Sequence, residues 1–131
     1  MSLEMFVSAD DTFTVNLAVG ADKNKPKTIY ADVSIEKLKE VYGEDLDEAT
    51  IEEHSVVFRR PNFNDLSKLY DDAISWDGVE VKANPSSVRM NKMIRLLKSW
   101  TLPRPATAQE IRQLNPILAL VIGSELDRLS P

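Results

Sequence analysis

The sequence predicts an α+β fold, a small N-terminal antiparallel sheet of about three strands packed against a mainly helical C-terminal half. Three observations lead there. Apolar residues alternate with period two only in the first 61 positions, the signature of half-buried strands. Beyond that point they recur at i, i+3, i+4 and i+7, and helix-start residues precede them. The 131 residues are 43% hydrophobic and 28% charged with only 4 Gly and 7 Pro, a composition that builds one soluble globular core. A single domain is therefore expected over 1–131, with a β-rich part at 1–61 that includes an acidic insert at 44–53, and a helical part at 62–131.

The first strand is Thr12–Val19, where Phe13, Val15, Leu17 and Val19 share one face. Gly20 to Lys27 is polar and rich in turn formers, and Thr28–Val33 resumes the strand pattern, which gives a hairpin with a lysine-bearing loop. Met5-Phe6-Val7 is a candidate short strand ahead of it. Ser34 is a candidate N-cap for a helix from Ile35 to Tyr42 that stops at Gly43. Residues 44–53 hold six carboxylates and few large apolar residues, so an exposed acidic loop or a poor helix is expected. They lack the Asp-x-Asp-x-Asp-Gly spacing of an EF-hand. His54–Arg60 reads as the third strand, with Val56 and Phe58 on one face, closed by Pro61.

Asn62 or Asn64 can cap a helix whose stripe is Leu66, Leu69, Tyr70, Ala73 and Ile74. A connector follows with a turn at Asp77-Gly78 and room for a short strand through Val79 and Val81. Asn84-Pro85 starts the next helix, because proline at the first helical position loses no hydrogen bond. It is expected to run from Pro85 to Trp100 with Met90, Met93, Ile94, Leu97 and Trp100 inward and Arg89, Lys92, Arg95 and Lys98 on another face. Thr101–Pro105 is a stiff break. Thr107 and Glu110 form a capping box for a short helix to Leu114. Asn115-Pro116 opens a last helix carrying Ile117, Leu118, Val121, Ile122, Leu126 and Leu129.

Most chemistry is excluded by inventory. The chain has no cysteine and one histidine, so disulfides, thiolate metal sites and multi-histidine sites cannot form. The 4 glycines are scattered singly, so neither a phosphate loop nor a dinucleotide fingerprint can be built. His54 has glutamates beside it, but the Ser55 side chain points to the opposite face of a strand, which leaves no nucleophile next to the base. Asp71 and Asp72 diverge by about 100° on a helix and read as a solvated face. No enzyme activity, cofactor or metal is expected. No apolar run reaches the roughly 18 residues of a membrane span, and Met1–Phe6 lacks the basic and apolar regions of a secretory signal.

Charge is uneven. Residues 1–53 carry 13 acids and 5 lysines, whereas residues 54–131 carry 11 basic residues and 8 acids. Within 82–112, seven basic residues face only Glu110, a patch able to contact phosphates. The net charge of −5 and the lack of an interleaved aromatic platform oppose nucleic-acid binding. The expected role for the basic face is contact with an acidic protein surface, the chain's own 44–53 segment included.

Two stretches resemble a known family. Val56-Val57-Phe58-Arg59-Arg60-Pro61 followed by Asp65-Leu66 resembles the strand ending in Arg-Arg-Pro-Thr, then an amphipathic helix, of phage tail assembly chaperones; Asn62 stands where that pattern has Thr. Downstream, a basic helix to Trp100, then Pro103-x-Pro105-x-Thr107, a capped helix and a terminal helix through Leu114, Leu118 and Ile122, is similar to their C-terminal half. Small baseplate-hub assembly proteins of T-even-like phages have a comparable layout. The similarity covers roughly residues 54–126; the front β segment and acidic insert match less clearly.

The resemblance implies a non-enzymatic factor in the host cytoplasm, or associated with the virion, that holds another phage tail or baseplate protein such as the tape-measure or hub component. A structural virion protein and a small host-directed nucleic-acid-binding regulator are the alternatives. The expected partner site is Arg89, Met90, Met93, Arg95, Lys98 and Trp100, framed with the terminal helix, because flexible Met side chains and an aromatic beside Arg suit protein contacts.

Overall fold

A computed structural model describes residues 5–8, 10–77, 80–83 and 85–130, with side chains of 70–87 outside that description. In chain order the elements are β1 (Thr12–Asp22), β2 (Ile29–Asp32), α1 (Ile35–Tyr42), β3 (Leu46–Arg59), α2 (Phe63–Ala73), β4 (Ile74–Asp77), β5 (Glu80–Ala83), α3 (Pro85–Leu96), β6 (Leu97–Trp100), α4 (Ala108–Arg112) and α5 (Pro116–Leu129). The fold is α+β, but its main sheet has four strands rather than three, in the antiparallel order β2-β1-β3-β6. Met5–Val7 is exposed and forms no strand.

The spine is the long β1–β3 ribbon, in register from Thr12↔Arg59 to Val19↔Glu52. Val15, Leu17, Val56 and Phe58 point to one face, where α3, α4 and α5 close over them with Met93, Leu96, Ile111, Leu118, Ile122 and Leu126. Ala18 points to the other face and packs with Leu38 of α1 and Leu46. Both faces of this end of the sheet are thus buried, so the N-terminal half is not a one-sided layer. Ser34 does cap α1, its hydroxyl accepting from the Lys37 N–H.

Glu44 and Asp45 lie in a turn, but from Leu46 on the acidic stretch is a strand rather than a loop or poor helix. Leu46, 4% exposed, and half-buried Ile51 anchor it into the second cluster. The register shift there sets Glu48–Ile51 against Gly20 alone, between the pairs Val19↔Glu52 and Ala21↔Asp47. Gly20 leaves room for the Leu46 side chain: a Cβ there would lie 2.5 Å from Leu46 Cδ1, which would have to turn aside. Thr50 Oγ1 accepts from the Ala21 N–H at 2.8 Å, tying the bulge down. The carboxylates stay in water while two apolar residues hold the backbone, which outweighs weak intrinsic strand propensity.

The β1–β2 turn is organised by Asp22, whose carboxylate accepts from the Asn24 and Lys25 N–H groups and from the Tyr30 hydroxyl. The Tyr30 bond holds Asp22 below the usual carboxylate range, and the same bond pushes Tyr30 up to about 12. An alkaline absorbance titration is expected to show one of the 3 tyrosines ionising about two units above the ordinary value of about 10. Asp22→Asn keeps the turn acceptor but removes the charge, and should bring that transition back toward 10. An unmoved transition in the variant would separate Tyr30 from Asp22.

The helix expected over Pro85–Trp100 ends at Leu96, and Leu97–Trp100 is instead the fourth strand. Its pairing is Val56↔Trp100, Val57↔Ser99 and Phe58↔Leu97, so Lys98 bulges out and is unmatched. That bulge sets Leu97 and Trp100 on the same core-facing side. The three-residue apolar spacing therefore arises in a strand with one extra residue, and not only in a helix. Between α2 and α3, Ile74–Asp77 and Glu80–Ala83 pair as the antiparallel strands β4 and β5, so Ile74 leaves the helix it was assigned to. Gly78, Val79 and Asn84 lie outside the described residues, and Tyr70, Ala73 and Ile74 outside the described side chains.

Candidate functional site

The basic face is built around Asp65, which Arg59 and Arg95 both contact. Asn62 and Asp65 cap α2 reciprocally: Asp65 N–H donates to Asn62 Oδ1 at 2.8 Å, and Asn62 N–H donates to Asp65 Oδ2 at 3.0 Å. The carboxylate is only 4% exposed. Arg59 at the end of β3 grips it with both terminal nitrogens at 2.7 and 3.0 Å, and Arg95 of α3 adds its Nε at 3.0 Å. The Arg59 hydrogen bond, first of all, holds the Asp65 carboxyl far below the usual carboxylate range and raises Arg59 in return. This cluster pins three elements together, and its surplus positive charge sits on guanidinium groups that are about a third exposed to water.

The rest of the face is partly engaged as well. Arg89 Nη2 meets Asp127 Oδ2 at 3.2 Å, and Lys92 Nζ meets Asp127 Oδ1 at 3.4 Å and the Ser130 carbonyl at 2.7 Å. Lys92 thereby caps the C-terminal end of α5, where a cation is favoured. The acids that partner the basic helix are Asp65 and Asp127, rather than the 44–53 segment. Lys98 stands alone in the β6 bulge, exposed and without an ion pair among the described residues. Arg95 is not a free surface residue, and its expected exposure is corrected by the Asp65 bond.

Trp100 is half-buried against the main core, and its indole N–H donates to the Arg104 carbonyl. Sheet pairing takes it from the face of α3, so it is no exposed anchor beside Arg95. Met93, 4% exposed, belongs to the core. Of the six expected site residues, the fold brings Arg89, Met90 and Met93 together, and sends Arg95, Lys98 and Trp100 elsewhere.

What the three meet is α5. Arg89, Met90 and Met93 form one wall and the floor of an open groove of about 370 Å³, with Ile111 of α4 and Pro116, Ala119 and Leu120 of α5 opposite. Its lining is apolar apart from Arg89. Met90 is 42% and Leu120 60% exposed on its rim. Gly123 gives room to the Arg89 stem: a Cβ there would lie 2.7 Å from Arg89 Cδ, and the stem passes over the glycine to carry its guanidinium to Asp127. Leu120 is the groove residue that pattern reading passes over. The signal for it was present, since it is the large apolar residue of α5 that falls outside the inward stripe.

His54 bridges two segments. Its Nε2 lies 2.9 Å from Glu52 Oε2 and its Nδ1 lies 3.1 Å from Thr101 Oγ1. The Thr101 hydroxyl also accepts from the Ser55 N–H at 3.0 Å. The arrangement clasps the end of β6 onto β3, extending the pairing by one residue. Among the described residues no group of three acidic or histidine side chains is placed to hold a metal ion, and no helix is long and apolar enough to cross a membrane. Comparison with known proteins finds no match to a family model, to a curated protein or to a solved structure.

Proposed function

We propose that the chain is a non-enzymatic assembly factor of a phage tail or baseplate hub, a chaperone or adaptor that holds a tail component such as the tape-measure or hub protein. The observation that carries the binding role is the groove between α3 and α5, open, apolar and rimmed by exposed Met90 and Leu120. A helix of a partner laid into it would bury those two side chains at about 25 cal/mol per Å² of apolar surface. The resemblance over residues 54–126 supplies the phage setting. The motif residues Arg59, Asp65 and Thr107 meanwhile serve the fold, through the Asp65 cluster and the α4 cap. The regulator reading is less favoured because Arg89, Lys92 and Arg95 already pair with carboxylates, which leaves fewer charges for phosphate.

The test is co-expression with a phage tape-measure or baseplate-hub protein from the genome that encodes the chain. Soluble recovery of that protein is expected to rise, with the two co-purifying. Leu120→Asp is expected to melt within about 0.5 kcal/mol of the parent, since the position is exposed, yet to lose the complex. Mass spectrometry of finished particles should find the chain absent or substoichiometric. Stoichiometric retention favours the structural virion protein, and saturable DNA binding near 150 mM salt, where the Debye length is about 8 Å, favours the regulator.

A further inference from the structure

β3 is paired along most of one side and open along much of the other. β1 runs beside it from Arg59 to Glu52 and again at Asp47 and Leu46, whereas β6 reaches only Val56–Phe58. The last backbone link on the β6 side is the Thr101 N–H donating to the Ser55 carbonyl at 3.0 Å. Hydrogen-bonding direction alternates along an antiparallel strand. Glu53 therefore turns its N–H and C=O to the same side as Ser55, where the sheet has no further strand among the described residues. The chain after β6 does not continue along this edge, because Leu102 packs against the main core and the Trp100 indole holds the Arg104 carbonyl. We infer that this open edge receives an extended, lysine- or arginine-bearing strand of a partner protein, added to the sheet at Glu53 beside the end of β6.

In strand addition the backbone supplies the docking and the side chains supply the choice. Glu48, Glu52 and Glu53 are exposed on this stretch. Glu53 lies opposite Ala18 and Glu52 opposite Val19, so the two carboxylates stand on opposite faces of the sheet. A strand laid on the edge meets negative charge above and below, and residues directly across from it are stabilised by opposite charge. Among the described residues the ion pair these three glutamates make is that of Glu52 with His54. The nearest described cations are distant or engaged. Lys23, Lys25 and Lys27 follow Asp22, which is four β1 residues from Ala18, about 13 Å at about 3.3 Å per residue. Lys98 bulges across from Val57 and Phe58, as far from Glu53 in the other direction. Both separations exceed the Debye length of about 8 Å. Arg104 is held by Glu110 at 3.1 Å. The charged residues whose side chains lie outside the description, Glu4, Asp71, Asp72, Asp77, Glu80 and Lys82, are five acids to one base and add to the negative sign.

The same charges decide against a second copy of the chain as the occupant. Charged residues and a bulge keep an open edge from pairing with its own kind, and a second β3 brings its carboxylates to the same line. A cationic strand is attracted where a second copy is repelled. The edge is separate from the α3–α5 groove, since none of these glutamates lines it.

The experiment uses the full chain and three labelled synthetic peptides of alternating Val and Thr. One carries adjacent Lys residues at its centre, one carries Glu there, and the third is the Lys peptide with alternate backbone nitrogens methylated along the edge that meets β3. Fluorescence anisotropy at low salt is expected to give the Lys peptide an affinity at least about tenfold above the Glu peptide, and methylation should abolish its binding while leaving its charge intact. Amide hydrogen exchange should slow at Glu53 when the Lys peptide is added. Glu53→Lys, at an exposed position, should keep the melting temperature and reverse or remove the preference, whereas Leu120→Asp should leave it unchanged. No binding of the Lys peptide, equal affinities for the Lys and Glu peptides, or a Glu53 amide that exchanges no more slowly overturns the inference. Undiminished binding of the methylated peptide also overturns it, by reducing the contact to charge attraction without strand pairing. Self-association of the chain that protects the Glu53 amide overturns it as well and makes a second copy the occupant. Loss of Lys-peptide binding in Leu120→Asp overturns it by moving the site to the groove. The outcome is independent of the tail assignment, which stands or falls on co-purification.

Discussion

Asp65→Ala is expected to lower stability by about 3 kcal/mol, from a total that for such domains is only about 5–15 kcal/mol. The reasoning is one of orphaned charge. Asp65 holds Arg59 and Arg95 together in a site where its own carboxylate is 4% exposed. Its removal leaves two guanidinium groups facing each other and takes away the acceptor of the Asn62 N–H, while the Asn62 side chain still caps α2. The cost falls at the lower end for a broken buried pair because the two arginines, 31% and 32% exposed, can regain water. A fall of roughly 10 °C in the melting temperature is the corresponding readout.

The same variant has a pH signature that a mere packing defect lacks. The carboxyl of Asp65 is depressed in the folded chain relative to about 3.9 in the unfolded one. Its contribution is therefore complete above about pH 5 and is lost as pH falls below about 4, since the unfolded state then binds the proton first. The stability gap between parent and Asp65→Ala should be widest near neutrality and narrow on acidification. A gap that is constant from neutral pH down to about 3 would show that the ion cluster contributes nothing beyond packing. Arg95→Glu should be destabilising for the same electrostatic reason, while Lys98→Glu, in the exposed bulge, should leave melting nearly unchanged. That contrast makes Arg95 unsuitable as a probe of partner docking.

Phe58→Ala is expected to cost about 3–5 kcal/mol, the range for deleting a buried aromatic ring. Phe58 is 0% exposed and lies at the crossing of the sheet, beside Phe13 at 6.0 Å between ring centroids and opposite Leu97 of β6. Removing it opens a cavity that touches three strands, and the surrounding backbone is tied by ladder hydrogen bonds and cannot collapse to fill it. Denaturant titration should show a lower midpoint at an unchanged slope, because the surface exposed on unfolding is nearly the same. An effect below about 1 kcal/mol would mean that the ring is not at the centre of the core.

Several elements were legible from local pattern alone. The strand through Phe13, Val15 and Leu17, the Ser34 cap of α1, the Thr107 cap of α4 and the Asn115-Pro116 start of α5 all stand where the sequence places them. In each case the information is contained within a few neighbouring residues: a period-two face, or a short polar side chain one turn before the N–H it accepts from. The candidate site was legible in part. Arg89, Met90 and Met93 do sit in one groove, because Met93 lies one turn beyond the adjacent Arg89 and Met90 on a single helix.

The remainder depended on contacts between distant residues. Leu97–Trp100 has helical spacing, but its backbone pairs with Val56–Phe58 some forty positions earlier, and only the Lys98 bulge keeps both large side chains facing the core. The acidic 44–53 stretch carries no strand signal, and from Leu46 on it is a strand because Leu46 and Ile51 find Ala18 and Leu38 across the sheet. The basic face looks free in the sequence, and it is half neutralised because Asp65 and Asp127, thirty or more residues away, fold against it. By itself, then, the sequence determined the α+β class, the helix caps and the absence of cysteine and multi-histidine chemistry, all of which are local or compositional. Strand number, the fate of each charge and the groove at Leu120 were decided by tertiary structure, because pairing, ion-pair choice and exposure are properties of which distant segments meet, and short-range periodicity does not encode that.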